Sequence, residues 1–443
     1  MTTLASEPMH FESLYPPSSR KHEIDKILSY VQKGNSAQVV GLPGVGRSNV
    51  LRLLAYNNPL RVLHLGENYK WYHFVYMDLS EIKGRNFYEL IKFILISLSY
   101  SFSERKMEKE QEAVNNILKE AISFQDELIL FQALKRAIDY LSLEKKLTVV
   151  LLFDRFDTYF PQISSSFFTD LHVLRNRAKY RFSCVFSLER PLEELLEPSI
   201  YGDFYEFVVG NHVFLPLCDA EANAFRFAYL EKTSGRTVSP ATHKEIIKLT
   251  GGHGKLSRIA LETMLAQEGK HADLATFLLS KAAIQGALTE IWNSLIPIEQ
   301  KILLKSPKDT PKDSFLQYSY LVQNGEIQIP LFEKNLSHFP HPATEKITFD
   351  TDTQEIKAGN DSLTDILSPS EFKLLRFLIQ NTDKVCTKEE IIESVWSDEK
   401  TREGVTDQAL DQIIYRVRRK IEEDPNNPTH LTTIKGRGYR FLP

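Results

Sequence analysis

The sequence predicts a multidomain chain, α/β in its first part and α+β in its later parts. Three observations predict it. Short apolar runs alternate with helical periodicity up to about residue 218, the pattern of a doubly wound parallel sheet. After about Asp219 these runs stop and helices dominate. Two later segments end their helices with a hairpin signal, at Asn324-Gly325 and at Gly436-Arg437-Gly438.

The elements follow in order. Residues 1–18 form a polar, proline-containing arm, and residues 19–218 an α/β domain. Gln38-Val39-Val40 is a short buried strand that enters a glycine-rich turn and then a helix from Ser48 to Tyr56. Tyr72 to Asp78 is the second strand, and Asn86 to Ser142 is helical with charged faces. Leu147 to Phe153 is continuously apolar, as strands buried on both faces are, and Phe182 to Ser187 is another. Residues 219–285 read as a helical lid. In residues 286–339 two helical stretches precede the hairpin at Asn324-Gly325, which predicts a small winged helix. Prolines 340 and 342 break any helix, so 340–345 is a linker and 346–443 the last domain.

With 443 residues there is room for several domains, and 42% hydrophobic and 25% charged content is ordinary for a globular chain. A net charge of −4 and a pI near 6.3 exclude a generally basic nucleic-acid or membrane binder. DNA affinity would need a local basic surface. Cys184, Cys218 and Cys386 are widely spaced, form no metal-ligand pair and fit a reduced, cytoplasmic protein. The segment Met1 to Glu7 lacks a basic and an apolar region, and no apolar run approaches about 18 residues. Neither a signal peptide nor a membrane span is expected.

Gly41-Leu42-Pro43-Gly44-Val45-Gly46-Arg47-Ser48 fits G-x-x-x-x-G-[K/R]-[S/T] between a strand and a helix, the context of a P-loop. Gly41, Gly44 and Gly46 let backbone N–H groups turn inward around phosphates. The helix start, with Arg47, Ser48 and Asn49, adds a favourable dipole. ATP or ADP is the expected cofactor, with Mg2+ on Ser48. Arg47 stands where lysine is usual, keeping the charge on a bulkier planar fork. Asp154, at the end of an apolar strand, is the second metal ligand and a catalytic candidate. Many related ATPases place a glutamate next; here it is Arg155. Asp157, one turn on, either substitutes for it catalytically or caps a helix. A weak ATPase is the most these residues predict.

Residues 19–339 resemble the AAA-like STAND NTPases. The resemblance is carried by Arg20-x-x-Glu23, the P-loop, Asp154-Arg155-Phe156-Asp157, Ser187-Leu188-Glu189-Arg190-Pro191, Leu215-Pro216-Leu217 and Thr250-Gly251-Gly252-His253. It implies a nucleotide switch with Arg190 as γ-phosphate sensor and His253 as nucleotide sensor. Their plainer readings are a surface ion pair and a polar turn residue. The family's last motif ends in proline near the adenine, where this chain has Gly254.

In the last domain, Lys346 to Asp350 and Glu355 to Lys357 alternate like strands. Ser368 is an N-cap, Pro369 suits the first helical position and Glu371 completes a capping box. A helix from Glu389 carries Trp396 as a core anchor. A long helix from about Thr406 to Glu422 turns Leu410, Ile413 or Ile414, Val417 and Ile421 inward. Gln408, Asp411, Gln412, Tyr415, Arg416 and Arg419 remain on or near its outer face. This order, with the Gly-Arg-Gly-Tyr hairpin, resembles the OmpR/PhoB-type winged-helix DNA-binding domain. The resemblance implies double-stranded DNA as partner. Gln408, Gln412 and Arg416 are base-contact candidates, since glutamine reads adenine and arginine reads guanine. Tyr415 and Arg419 suit phosphate, and Arg437 suits a narrow minor groove. The resemblance also implies an internal pair between Asp411 and Arg418, and Tyr439 packed inward.

The function expected is a nucleotide-switched, sequence-specific DNA-binding transcriptional regulator, with possible self-association on ATP binding and an inducing ligand or protein not named by the sequence. Nucleotide state would replace the phosphorylatable receiver that usually precedes such a DNA-binding domain. The alternatives are an ATP-dependent DNA-loading, replication or transposition factor, and a STAND-type antiviral or stress sensor.

Overall fold

Five apolar segments build the first layer: β1 (Ala37–Val40), β2 (Tyr72–Asp78), β3 (Thr148–Asp154), β4 (Phe182–Leu188) and β5 (His212–Phe214). They are all parallel in the order β2-β3-β4-β1-β5. Every residue of β3 and β4 is buried, so both faces of the sheet centre are covered. The helix Lys21–Val31 packs on β1, β4 and β5, and the helix Arg47–Tyr56 on β2, β3 and β4. Gln38 sits fully buried in β1 and is satisfied there. Its amide donates to Glu193 and the Val208 carbonyl, and its oxygen accepts from Leu192 N–H.

The computed structural model describes residues 10–163, 165–196, 198–266, 273–339, 346–359, 361–396, 407–422 and 428–443. The expected linker 340–345 and the first half of the arm lie outside the described residues. No helix among the described residues is long and apolar enough to cross a membrane.

After β5, helices follow one another from Ala220 to Lys305. The short hairpin β6 (Val322–Gln323) and β7 (Glu326–Ile327) then turns at Asn324 and Gly325, both with positive φ. Sheet, lid helices and this helix-hairpin module share one apolar core, from Tyr15 to Phe339. A second core runs from Ile347 to Phe441. It lies under β8 (Ile347–Asp350), β9 (Glu355–Ala358), β10 (Asp361–Ser362), β11 (Val385–Cys386), β12 (Leu431–Ile434) and β13 (Gly438–Phe441). Among the described residues three helices complete it: Pro369–Gln380, Lys388–Val395 and Asp407–Ile421. The capping box expected at Ser368 and Glu371 is present, and a second forms at Thr387 and Glu390.

Candidate functional site

Strand β1 delivers the glycine-rich loop to the carboxyl edge of the sheet, flanked by β4 and β5. The chain order reverses there, and such edges are where open α/β sheets bind ligands. Gly44 has φ +84°, and a Cβ there would lie 2.7 Å from Lys255 Cβ and 2.8 Å from His253 Cε1. The loop is therefore gripped by the lid. Lys255 N–H donates to the Gly44 carbonyl at 3.0 Å, and His253 Nε2 donates to the Pro43 carbonyl at 2.9 Å. The Leu256 N–H reaches His253 Nδ1 at 3.3 Å, which fixes the neutral ring with its proton on Nε2. Burial pushes the His253 pKa down to about 4, in keeping with that tautomer. Arg20 adds a third tie, donating to the carbonyls of Val45 and Pro216.

Strand β3 ends at Asp154, two strands away from β1, yet Ser48 Oγ donates to Asp154 Oδ1 at 3.0 Å. Two cis ligands of an octahedral magnesium at its usual bond length lie roughly 2.9 Å apart, so this pair fits that ion. Asp154 also accepts from Tyr76 OH at 2.7 Å and from Arg155 N–H at 3.0 Å. The Arg155 guanidinium turns away to Ser80 and Asp78.

Arg47 reaches across the loop to Glu189 at 2.9 Å and to Asp157 at 3.6 Å, and its buried Nη1 makes no hydrogen bond. Asp157 does not cap a helix. Its carboxylate accepts the N–H of Glu189. Burial, opposed by Arg47 and reinforced by Glu189, pushes its pKa up to about 7. These groups border a cleft of about 730 Å³ that also takes in Gly44, Gly46, Asn49, Arg155, Arg226, Lys255 and Arg258, with Phe11 and Tyr15. Glu12 and Glu290 border it too, and Lys255 and Arg258 are already paired with Glu290 and Glu262, so it is the unsatisfied Arg47 nitrogen beside the glycine loop that suits a phosphate group.

Arg190 is not among the residues lining that cleft. It donates to Glu194 at 3.1 Å, to both carboxylate oxygens of Glu299 and to the Ser294 carbonyl, and lies 4.3 Å from the centre of the Phe315 ring. Burial alone would lower its pKa, but Glu299 and Glu194 carry it above the usual value. In this conformation the arginine joins the sheet domain to the helix-hairpin module.

In the last domain Gln412 and Tyr415 are exposed on the long helix Asp407–Ile421, while Leu410, Ile413, Ile414 and Val417 are buried. The side chain of Gln408 lies outside the described residues. Arg416 departs from its expected outward position. It is buried, lies 3.3 Å from Glu371 and donates to the Leu196 carbonyl of the sheet domain at 2.8 Å. Arg419 lies 3.7 Å from Glu194, again on the sheet domain. Arg437 is exposed at the hairpin tip between Gly436 and Gly438, both with positive φ. A Cβ on Gly438 would collide with the Cys386 carbonyl oxygen, so only glycine closes that turn.

The expected Asp411–Arg418 pair does not form. Asp411 accepts from Tyr439 OH at 2.6 Å and lies 3.2 Å from Lys388. Arg418 instead donates to the Leu431 carbonyl and Thr433 Oγ1. Strand β12 offers Arg418 nearer acceptors than a carboxylate two helical turns away. Sequence reasoning gave no site role to Tyr76, which bonds Asp154, or to Glu189, Arg226, Lys255 and Arg258 around the cleft, and no ion-pair role to Glu194 and Glu371 around the long helix. Only Lys255 and Arg258 carried a signal, as cations opening the helix after Gly-Gly-His.

These features define a P-loop-type parallel α/β fold joined to a C-terminal winged-helix domain. Residues 365–441 match the family "Transcriptional regulatory protein, C terminal". Among curated proteins, the sensory transduction protein RegX3 of Mycobacterium bovis is 35% identical over 95 residues, 21% of this chain and 40% of RegX3. This chain thus spans well under half the length of that relative. Among solved structures, the Klebsiella pneumoniae RstA DNA-binding domain in complex with RstA box is 20% identical, covering 23% of this chain and 94% of its own, with a TM-score of 0.19. The Walker-type ATPase of Pyrococcus abyssi is 16% identical, covering 75% of this chain and 99% of its own, with a TM-score of 0.46. Residues 365–441 thus carry a domain of the kind found at the C terminus of transcriptional regulatory proteins.

Proposed function

We propose that the chain is a sequence-specific DNA-binding transcriptional regulator whose reading domain is controlled by bound ATP or ADP. One observation carries this reading. The P-loop cation Arg47 is held by Glu189 and Asp157, and the next residue along, Arg190, ties Glu194 into the surface that meets the DNA-reading helix. A nucleotide phosphate that takes Arg47 leaves Glu189 uncompensated and draws a proton onto Asp157, between the nucleotide and that surface.

Ser48 and Asp154 would hold Mg2+, which neutralises charge on the phosphates. Turnover would be slow. Arg155 is directed at Asp78, and Asp157, raised further once Arg47 leaves it, would hold its proton and could not accept one from water. A bound triphosphate would persist, which suits a switch. Copies that self-associate in the ATP state would present two readers to adjacent half-sites and gain affinity from avidity.

The test is selection of bound sequences from random duplex DNA by the full chain with ATP, with ADP and with neither. A defined motif whose retention depends on nucleotide is expected. Arg47→Ala should weaken ATP binding about tenfold or more, the effect of losing a charge-assisted hydrogen bond, and should remove the nucleotide dependence. No enriched motif under any condition would overturn the reading.

A further inference from the structure

The DNA-reading helix is engaged by the rest of its own chain. Arg416 donates to the Leu196 carbonyl, Arg419 lies beside Glu194, and the helix also packs on Pro297–Lys305. We propose that the segment Glu194 to Leu196 is a docking surface for the cationic end of this helix, and that its occupation keeps duplex DNA out. The inference rests on the DNA-reading assignment made above.

Geometry supplies the argument. Residues 412, 415, 416 and 419 fall on successive turns of one face. Gln412 and Tyr415, on the earlier turns, are exposed, whereas Arg416 and Arg419 touch the sheet domain. A helix about 10–12 Å across fills a major groove about 12 Å wide, so phosphate walls rise along both its sides. A segment packed against the last turns of that face stands where a wall must pass. Chemistry points the same way. The Glu194 carboxylate takes at Arg419 the place of a phosphate oxygen, and it would repel the DNA backbone.

Glu194 is itself held. Arg190 grips it from behind, and Arg190 is clamped by Glu299, Ser294 and Phe315. The docking surface is therefore rigid on the sheet-domain side. A cavity between the two domains, bordered by Arg190, Glu194, Arg416, Arg419 and Lys420, is also bordered by Asp157 and Glu189. Those two carboxylates line the nucleotide cleft as well. The docked helix and the P-loop thus share the same pair of acids as neighbours.

The experiment uses the full chain without nucleotide. Glu194→Ala keeps Glu299 and Ser294 on Arg190 and removes only the anion facing Arg419. It should bind duplex DNA about fivefold or more tighter than the parent, the low end of usual intramolecular couplings, and its small-angle scattering radius should increase. A second protein carries Leu195→Cys and Ile366→Cys, two residues that border the same cavity on opposite sides and lie outside the reading helix, with the exposed Cys218 changed to Ser. Bridging the pair with a short bis-maleimide should abolish DNA binding, while capping each thiol singly should not. Unchanged affinity and radius in Glu194→Ala, or a bridged protein that binds DNA as well as the capped one, overturns the docking surface. If no form binds DNA, the DNA-reading assignment has failed, and the radius alone then decides the docking: an increase supports it and no change sinks it.

Discussion

If the cleft takes a nucleotide as proposed, Asp157 couples that binding to protons. On the cleft side it faces Arg47 and Glu189, and on the other Arg190, Glu194, Arg416, Arg419 and Lys420. Its pKa stands near 7 because burial outweighs the pull of Arg47. Phosphates that draw Arg47 away raise it further, so ATP binding takes up a proton. ATP affinity should fall as pH rises from about 6 to 8, and titration calorimetry in buffers of different ionisation enthalpy should show the uptake. Asp157→Asn should lose both, and an unchanged pH profile in that variant would remove Asp157 from the linkage. Stability carries a second signature. A carboxyl raised from 3.8 to about 7 contributes stability that is complete below 3.8 and is lost as pH rises to 7. His253, lowered from 6.5 to about 4, contributes stability that is complete above 6.5 and is lost as pH falls toward 4. The two slopes oppose each other between about 4 and 6.5. Chemical unfolding should therefore show Asp157→Asn gaining on the parent from pH 5 to pH 8, and His253→Gln gaining on it in the opposite direction.

At the scale of elements, the helix Pro369–Gln380 shows what local sequence reveals and what it hides. Ser368 caps it, and Glu371 donates no charge to solvent: it is fully buried between Lys420 at 2.5 Å and Arg416 at 3.3 Å. Loss of a cap costs about 1 kcal/mol, whereas removing one partner of a buried ion pair costs about 3–5 kcal/mol. Urea unfolding of the last domain should separate Ser368→Ala from Glu371→Ala by that margin; equal costs would show that Glu371 serves only as a cap. The cap was legible because its partners lie within one turn, and the P-loop and the strands were legible because glycine spacing and apolar runs are also local. The ion pairs were not, since tertiary packing alone brings Arg416 and Lys420 to Glu371. Helical periodicity separates an inner face from an outer one, but it cannot tell an outer face in water from one covered by another domain. Arg416 therefore read as a free base-reading side chain. The Asp411–Arg418 pair failed for a related reason, because Tyr439 and β12 arrive from the hairpin with better partners. Tyr76 meets Asp154 and Glu189 meets Arg47 through strand order, which the sequence does not spell out.

Across the whole molecule, the docked helix makes a quantitative claim about how nucleotide acts on DNA affinity. If docking only withholds the reader, the apparent dissociation constant equals the intrinsic one divided by the open fraction. A closed form favoured 99 to 1 weakens binding about a hundredfold for every sequence alike. Nucleotide that opens the chain then strengthens binding to the operator and to unrelated duplex by the same factor, because it changes the fraction of competent molecules and no contact with bases. The ranking of sequences should stay fixed between ATP and no nucleotide, while all affinities move together. Base substitutions in the operator, measured one at a time in both states, check this. Each should cost the same in both states, about 1–3 kcal/mol where a side chain reads that base pair. Costs that change with nucleotide would mean that the reader itself is reshaped. The released surface would then act on the geometry of the recognition helix, and the carboxylate at Glu194 would be tuning specificity instead of access.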